Sequence, residues 1–197
     1  MHQEESIWIN QTLKEVDMAF IKEALDVGSS TKQFRTQIQP YIDKYVFKLL
    51  RDNGISIRYL DKKDTEGVDY VCDIENITAA KLDKQFDLVI CCSLLEHVKN
   101  PEKVCALLVD LVSDGGYLLV SVPKVYRYHP DPIDTMFRPT LEELIGMFHG
   151  IRIIKKDTIN IKDKNKYKRD RVTELVRYLL SPFNWKIHCL LMEKNRK

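Results

Sequence analysis

The chain lacks several features that define special classes of protein. No stretch approaches the roughly 18 uncharged apolar residues that a membrane-spanning helix requires, because Asp87, Glu96 and Lys99 interrupt the longest apolar segments. Glycine and proline, at seven each in 197 residues, are too few for a collagenous or low-complexity chain. We therefore expect a soluble folded protein of about one domain.

Neither the cysteines nor the first residues have the pattern expected of a secreted protein. The five cysteines are odd in number, lie mostly in apolar runs and lack the paired spacing of zinc or redox sites. We expect buried thiols and no metal site. Glu4 and Glu5 stand where a signal peptide would carry positive charge. These absences predict a cytoplasmic protein.

The net charge is only +2, but it is unevenly distributed. Residues 150–197 hold 14 Lys/Arg against 5 Asp/Glu, a net of +9, whereas the rest of the chain holds 17 against 24, a net of −7. Residues 167–183 mix cations with apolar side chains at helical spacing, which predicts a basic amphipathic helix. A core-packing helix with a solvated basic face, a lid, peripheral membrane contact and nucleic-acid binding all stay open.

Apolar periodicity predicts alternating strands and helices along the chain. Strands are predicted at 23–27, 55–61, 69–73, 86–92, 117–122, 151–161 and 185–192, and helices at 1–22, 34–50, 101–112 and from a capping box at Thr140. This order predicts a three-layer α/β/α sandwich around a largely parallel sheet.

Ligands of open α/β sheets bind beyond the carboxyl ends of the strands, so the residues found there carry the functional prediction. Gly28 permits a tight turn and close backbone approach, and Asp26 can organise that loop or meet a cationic ligand group. Asp61 is placed to accept both hydroxyls of a ribose, and Asp73 to accept from an adenine amino group. A solvated Asp61 and a turn-capping Asp73 are the alternatives.

Five ordered motifs, covering about two thirds of the chain, resemble those of class I S-adenosylmethionine-dependent methyltransferases of the type 11-like superfamily. They are Ala-Leu-Asp-Val-Gly-Ser-Ser (24–30), Tyr-Leu-Asp (59–61), Val-Cys-Asp-Ile (71–74), Phe-Asp-Leu-Val-Ile-Cys-Cys-Ser-Leu-Leu-Glu-His-Val (86–98) and Asp-Gly-Gly-Tyr-Leu-Leu-Val-Ser-Val-Pro (114–123). The resemblance implies a Rossmann-like, mostly parallel seven-stranded sheet with an antiparallel last strand. It implies a single domain over 1–197, with an N-terminal helix (1–22), a cofactor-binding core (23–161) and a basic C-terminal helix with the last strand (162–197).

The same resemblance implies S-adenosyl-L-methionine as the cofactor. The first motif would hold its methionine part, the acid after the second strand its ribose and the acid after the third its adenine, while Glu96 and His97 would orient the loop after the fourth. The cofactor-binding residues that it assigns are Asp26, Gly28, Ser29, Ser30, Asp61, Lys62, Asp73, Ile74, Ser93, Leu94 and His97.

The first motif departs from the family pattern at two positions. Relatives carry glycine where this chain has Ser30 and Lys32. Serine is small, and its hydroxyl could hydrogen-bond the cofactor carboxylate. We therefore interpret the motif as altered rather than inactive.

The loop at 126–140 resembles a mainly bacterial subgroup with His-Pro-Asp followed by Arg-Pro-Thr. A hydroxyl acceptor must lose a proton, which favours His129 as the base, with Asp131 or Asp134 as its orienter or alternate. His129 could instead cap the loop, and Arg138 could pair with Asp134 rather than bind an acidic substrate. The substrate-binding candidates are Tyr126, Tyr128 and Arg138.

The sequence thus predicts methyl transfer to an oxygen or nitrogen of a small molecule, such as a sugar or lipid-linked acceptor. The alternative is a catalytically altered protein of this fold that binds nucleic acid or a protein through its basic end. Nicotinamide-dependent oxidation is disfavoured, because residues 28–33 do not form a GxGxxG turn. Nucleic-acid methylation is less expected, because Cys92-Ser93-Leu94-Leu95 replaces an Asn/Asp-Pro-Pro-aromatic motif. The oligomeric state stays open.

Overall fold

The structure is a computed structural model that describes residues 1–82, 84–162 and 185–196. Its strands are β1 (Glu23–Val27), β2 (Ser56–Asp61), β3 (Tyr70–Val71), β4 (Phe86–Cys92), β5 (Val112–Val125), β6 (Ile151–Asn160) and β7 (Lys186–Lys194). They form one sheet in the order β3-β2-β1-β4-β5-β7-β6. β7 is antiparallel to β5 and β6, and the other neighbours pair in parallel. The predicted fold class is confirmed.

Helices cover both faces of this sheet. They are α1 (Gln3–Leu13), α2 (Pro40–Ile42), α3 (Lys48–Asp52), α4 (Pro101–Leu111) and α5 (Leu141–Gly146). A π-helical turn at Phe34–Ile38 precedes α2, and another at Asp43–Phe47 joins α2 to α3. Pro40 restarts the helical segment as predicted. Short 3-10 turns lie at Met18–Phe20, Ile74–Asn76, Ala79–Leu82 and Leu95–His97.

The central strand β4 shows why the sheet needs both helical layers. Phe86 and Val89 belong to a core cluster shared with α4 and α5. Leu88 and Ile90 belong to the opposite cluster, shared with α1 and the 34–52 segment. A strand buried on both faces reads as a continuous apolar run, which is why its bounds match the prediction.

Three predicted elements have different bounds. α1 ends at Leu13 rather than at residue 22, because Asp17 accepts a hydrogen bond from the Ala19 N–H and caps a separate 3-10 turn. β3 keeps only two residues, because Asp73 starts the next turn. β5 extends from residue 112 to 125 along β4 and β7. The predicted basic helix at 167–183 falls outside the described residues.

The sequence order of the sheet reverses between β1 and β4, which places the topological switch point at their carboxyl ends. In the described part of the chain, no helix has the length and apolarity to cross a membrane. The Thr140 side chain and Glu143 form the predicted capping box at the start of α5, which ends the long loop after β5 at a defined residue.

Candidate functional site

A cavity of about 780 Å³ lies at the switch point. Its lining includes Gly28 directly after β1, Asp61 at the end of β2 and Ser93 directly after β4. Small-molecule and cofactor sites commonly have volumes of about 300–1,000 Å³. The cavity therefore has the place and size of a cofactor site with room for a second small molecule.

Glycine suits position 28 for two reasons: its backbone conformation, and the lack of room for a side chain. Its φ is +77°, and its N–H donates to the Leu60 carbonyl oxygen at 2.9 Å. A Cβ added there would lie 3.0 Å from Leu94 Cδ1. The chain thus passes closely between β2 and the loop after β4, and a side chain at residue 28 would disturb the cavity floor.

Asp61 connects the first-motif loop to the end of β2. This nearly buried carboxylate accepts from the Ser30 N–H at 2.7 Å through Oδ2 and from the Lys63 N–H at 3.0 Å through Oδ1. Each carboxylate oxygen can accept a second hydrogen bond. Two acceptor positions therefore remain, the number that the two hydroxyls of a ribose need, so the site fits the cofactor that the motifs imply.

Ser30, where relatives carry glycine, adopts a φ of +55°, which is strained for a residue with a Cβ. Arg35 holds the loop in this conformation. Its buried guanidinium donates to the carbonyl oxygens of Ser29 at 3.0 Å, Ser30 at 2.8 Å and Gly67 at 2.7 Å. We call Gly28, Ser30, Arg35 and Asp61 the cofactor edge.

Asp26 lies beneath this edge rather than in the cavity lining. Burial raises the pKa of its carboxyl to about 7, against the opposing charge of Arg35. Ser29 is also buried and outside the lining. Neither Asp26 nor Ser29 thus lines the cavity, and their assignment to cofactor binding stays a prediction.

Asp73 caps the turn that follows it. Its Oδ1 accepts from the Glu75 N–H at 3.0 Å and its Oδ2 from the Asn76 side-chain amide at 3.1 Å. This is the capping alternative of the sequence analysis. Asp73 and its neighbour Ile74 also line the cavity, as do Lys62 and Leu94.

The cavity lining also includes Glu96, His97 and His129, which we call the histidine cluster. The Glu96 carboxyl group is fully buried, and among the described residues neither of its oxygens has a hydrogen-bond donor. Its Oε1 lies 3.7 Å from His129 Nε2 and 3.9 Å from His97 Nε2. One ligand atom from each residue lies within 4.8 Å of the other two.

Asp134 fixes the loop that carries His129. It accepts from the backbone N–H groups of His129 at 2.9 Å and Met136 at 2.8 Å and from the Arg138 guanidinium at 2.8 Å. Burial alone would raise the pKa of Asp134, but these donors outweigh it and lower that pKa to about 2. Arg138 thus takes the ion-pair alternative, and neither residue lines the cavity.

The other candidate residues of the loop at 126–140 do not all lie at the cavity. Tyr126 lines the cavity and packs edge-on against the His129 ring, with ring centroids 4.7 Å apart. Tyr128 is 62% exposed and lies outside the lining. Asp131 lines the cavity but faces the cofactor edge, where its Oδ2 is 3.5 Å from Lys63 Nζ. Asp134 rather than Asp131 is therefore placed to orient His129.

Comparison with known proteins decides the family. The sequence model of a family described as a methyltransferase domain matches residues 22–160. This chain belongs to the methyltransferase domain family. The match includes the cofactor edge, the histidine cluster and the loop between β5 and α5, and it confirms the resemblance that the ordered motifs indicated.

Curated relatives share part of this methyltransferase domain. The ubiquinone biosynthesis O-methyltransferase of Escherichia coli O9:H4 (strain HS) is 30% identical over 95 residues, which are 48% of this chain and 35% of that protein. The corresponding enzyme of Shewanella pealeana is 31% identical over 99 residues, or 49% and 36% of the two chains. The chain thus spans about a third of the length of the curated relatives it matches.

Solved structures share the fold. The N-methyltransferase NodS from Bradyrhizobium japonicum WM9, in complex with S-adenosyl-L-homocysteine, superposes with a TM-score of 0.55 at 9% identity, over 94% of this chain and 85% of that one. Coclaurine N-methyltransferase, bound to N-methylheliamine and S-adenosyl-L-homocysteine, gives 0.58 at 14% identity, over 96% and 72%. At these identities the likeness shows the fold.

Sequence reasoning missed several residues of this methyltransferase domain. Arg35 contacts only main-chain oxygens and an aromatic ring in this site, and no sequence spacing signals such contacts. Lys63, rather than only Lys62, reaches the cavity and lies 3.4 Å from Ser30 Oγ. Met1 and His2 also line the cavity, which the helical pattern of α1 could not reveal.

Proposed function

We propose that this methyltransferase domain binds S-adenosyl-L-methionine and transfers its methyl group to an oxygen or nitrogen atom of a small molecule. The observation that carries the proposal is a single cavity lined by both Asp61, at the cofactor edge, and His129, in the histidine cluster. Membership of the family supports it. Relatives and neighbours named as O- and N-methyltransferases support both acceptor atoms.

The cofactor edge would hold the cofactor. Bound S-adenosyl-L-methionine supplies an already activated methyl group, so the protein contributes mainly approach and orientation. Asp61 would accept from the ribose hydroxyls through its two remaining lone-pair positions. Gly28 and Ser30 would border the methionine part, and Asp73 and Ile74 the adenine, as the motifs imply.

His129 would take the proton of a hydroxyl acceptor. Its Nδ1 lies 3.0 Å from both Asp134 Oδ2 and the Arg127 carbonyl oxygen, so Nδ1 is the protonated nitrogen. Nε2 is then the ring nitrogen with the free lone pair, in a residue that lines the cavity. An amine acceptor needs no such base, which favours an oxygen acceptor for this site.

The cavity lining and the relatives support a ranking of candidate acceptors. Tyr126 offers an aromatic edge beside His129, against which a flat ring could pack. Because curated relatives are named as O-methyltransferases, hydroxyl acceptors come first. Phenols, whose flat ring suits the Tyr126 edge, are tested before sugars and lipid-linked molecules. Binding of nucleic acid, a protein or a membrane by the basic C-terminal segment stays a prediction, since residues 163–184 are not described.

The test is transfer of a labelled methyl group from S-adenosyl-L-methionine by the purified full chain to panels of phenols, sugars and lipid-linked alcohols. Label in at least one small molecule, lost with Asp61→Ala, is the expected result. Asp64→Ala, a change at an exposed aspartate outside the cavity lining, is the matched control. Label in RNA but in no small molecule would contradict the proposed acceptor class.

A further inference from the structure

The histidine cluster is built around a buried carboxyl group without a hydrogen-bond partner in the described part of the chain. Glu96 is fully buried, and no described residue donates a hydrogen bond to either of its carboxyl oxygens. An isolated buried carboxylate is strongly unfavourable unless a positive charge or several donors face it. The nearest polar atoms across the cluster are the Nε2 atoms of His97 and His129.

Neither imidazole donates a ring hydrogen to Glu96 when the ring is neutral. His97 Nδ1 lies 2.5 Å from the Ile133 carbonyl oxygen, which can only accept, so this nitrogen carries the hydrogen. His129 Nδ1 likewise faces Asp134 Oδ2 and the Arg127 carbonyl oxygen. In the neutral rings both Nε2 atoms are then acceptors, and they face an acceptor carboxylate.

The distances between Glu96 Oε1 and the two imidazole Nε2 atoms are too long for hydrogen bonds. A hydrogen bond would bring donor and acceptor to about 2.7–3.2 Å, whereas the Glu96–imidazole separations are 3.7 and 3.9 Å. Ligand atoms around a tetrahedral zinc, at bond lengths of about 2.0–2.2 Å, lie about 3.4 Å apart. The two Glu96–imidazole separations are within about 0.5 Å of that value, and all three ligand atoms lie within 4.8 Å of one another, so the side chains must move inward to bind one ion.

The surroundings match those of metal-binding histidines. A ligating histidine usually donates its second ring N–H to a carboxylate or a backbone carbonyl, and both are present here. Two imidazoles and one carboxylate form the donor set of many catalytic zinc sites, which keep a further position open. All three residues line the cavity, so that position would face a ligand in it.

We propose that Glu96, His97 and His129 bind one divalent cation of the zinc class, with its open coordination position towards the cavity. The proposal rests on the geometry of these side chains and not on methyl transfer. It replaces the expectation of no metal site, which followed from cysteine spacing alone. An imidazole that holds a cation through Nε2 cannot also take a proton there, so metal binding and the base role of His129 are exclusive uses of one lone pair.

The test is calorimetric titration of the chelator-treated full chain with Zn²⁺, and with Co²⁺ followed by its visible absorption. One equivalent bound at micromolar or lower dissociation constant, with the intense Co²⁺ bands of a four-coordinate nitrogen and oxygen site, is expected. Glu96→Gln, His97→Gln and His129→Gln should each weaken binding by more than the roughly 10- to 100-fold that loss of an outer-shell partner costs. His149→Gln, at an exposed histidine outside the lining, should leave it unchanged.

Two further measurements keep the result interpretable. Asp134→Asn leaves all three ligands in place and should weaken Zn²⁺ binding by about 10- to 100-fold through its effect on His129. Titration of each variant with S-adenosyl-L-homocysteine reports whether the cavity is intact. A folded chain that binds the nucleoside but not Zn²⁺, or that binds Zn²⁺ equally in all variants, would overturn the metal site and leave the proposed methyl transfer untouched.

Discussion

The cofactor edge and the histidine cluster line the same cavity, but they differ in how far their polar groups are hydrogen-bonded. At the cofactor edge the Ser30 N–H is paired with Asp61, and the Ser29 and Ser30 carbonyl oxygens are paired with Arg35. In the histidine cluster, the Glu96 carboxyl oxygens and the imidazole Nε2 atoms face one another, and no described residue donates a hydrogen bond to Glu96. A loop that must keep one conformation is internally hydrogen-bonded, whereas a site that takes up a proton or a cation keeps lone pairs available.

The largest expected effect is on kcat, and it comes from a substitution in the histidine cluster. His129→Gln should lower kcat for a hydroxyl acceptor by about 10²- to 10⁴-fold, because the proton acceptor or cation ligand is lost. The dissociation constant for S-adenosyl-L-homocysteine should stay unchanged, since His129 does not contact the cofactor edge through any described hydrogen bond. Steady-state kinetics and calorimetry check this, with His149→Gln as control. An equal loss of cofactor affinity would mean that the regions are not independent.

The next effect concerns Asp26, the acid beneath the cofactor edge. Because burial raises its pKa from 3.8 to about 7, the folded state binds a proton that the unfolded state has already lost between these values. The contribution of Asp26 to the free energy of unfolding is therefore fully present below about pH 4 and falls as pH rises to about 7, by at most about 1.4 kcal/mol per pH unit.

Asp26→Asn should flatten this part of the stability profile, measured by urea unfolding across the range. Asp64→Asn, at an exposed position, should leave the slope as in the unchanged protein. A variant profile that falls as steeply as that of the parent would show that another group carries the dependence.

Arg35→Met removes the guanidinium from the cofactor edge while keeping an unbranched apolar side chain. Hydrogen bonds from a charged donor are worth about 1.5–3 kcal/mol each, so we expect affinity for S-adenosyl-L-homocysteine to fall about 10- to 100-fold. Zn²⁺ affinity of the histidine cluster should not change. Arg51→Met is the control, because that guanidinium pairs with Asp43 at the surface. Unaltered nucleoside affinity in a folded Arg35→Met protein would remove Arg35 from the account.

The smallest expected effect tests the altered first motif. Ser30→Gly relieves a φ of +55° and should raise the free energy of unfolding by about 1 kcal/mol. Ser30→Ala keeps the strain and removes only the hydroxyl near Lys63. Thermal unfolding of the pair, with and without S-adenosyl-L-homocysteine, separates the two contributions. A glycine variant less stable than the alanine variant would show that the backbone is not strained.

The strands that bear the site were predictable, since β1 and β4 are apolar runs whose burial the sequence pattern states directly. The positions of Gly28 and Asp61 in the fold were also predictable, because Gly28 follows the apolar run of β1 and Asp61 ends the alternating pattern of β2. Arg35 was not, because its partners are carbonyl oxygens set by the loop conformation. The approach of His129 to Glu96 was also hidden: it depends on how the loop after β5 folds back, where the Thr135 N–H and hydroxyl donate to the Glu96 carbonyl oxygen.

Calorimetric titration of the full chain with S-adenosyl-L-homocysteine tests the central claim most directly, namely that this cavity is a nucleoside cofactor site organised by Asp61. The account predicts micromolar binding at one site, lost in Asp61→Ala and retained in Asp64→Ala. Absence of binding by a folded protein, or equal binding by the parent and Asp61→Ala, would contradict it.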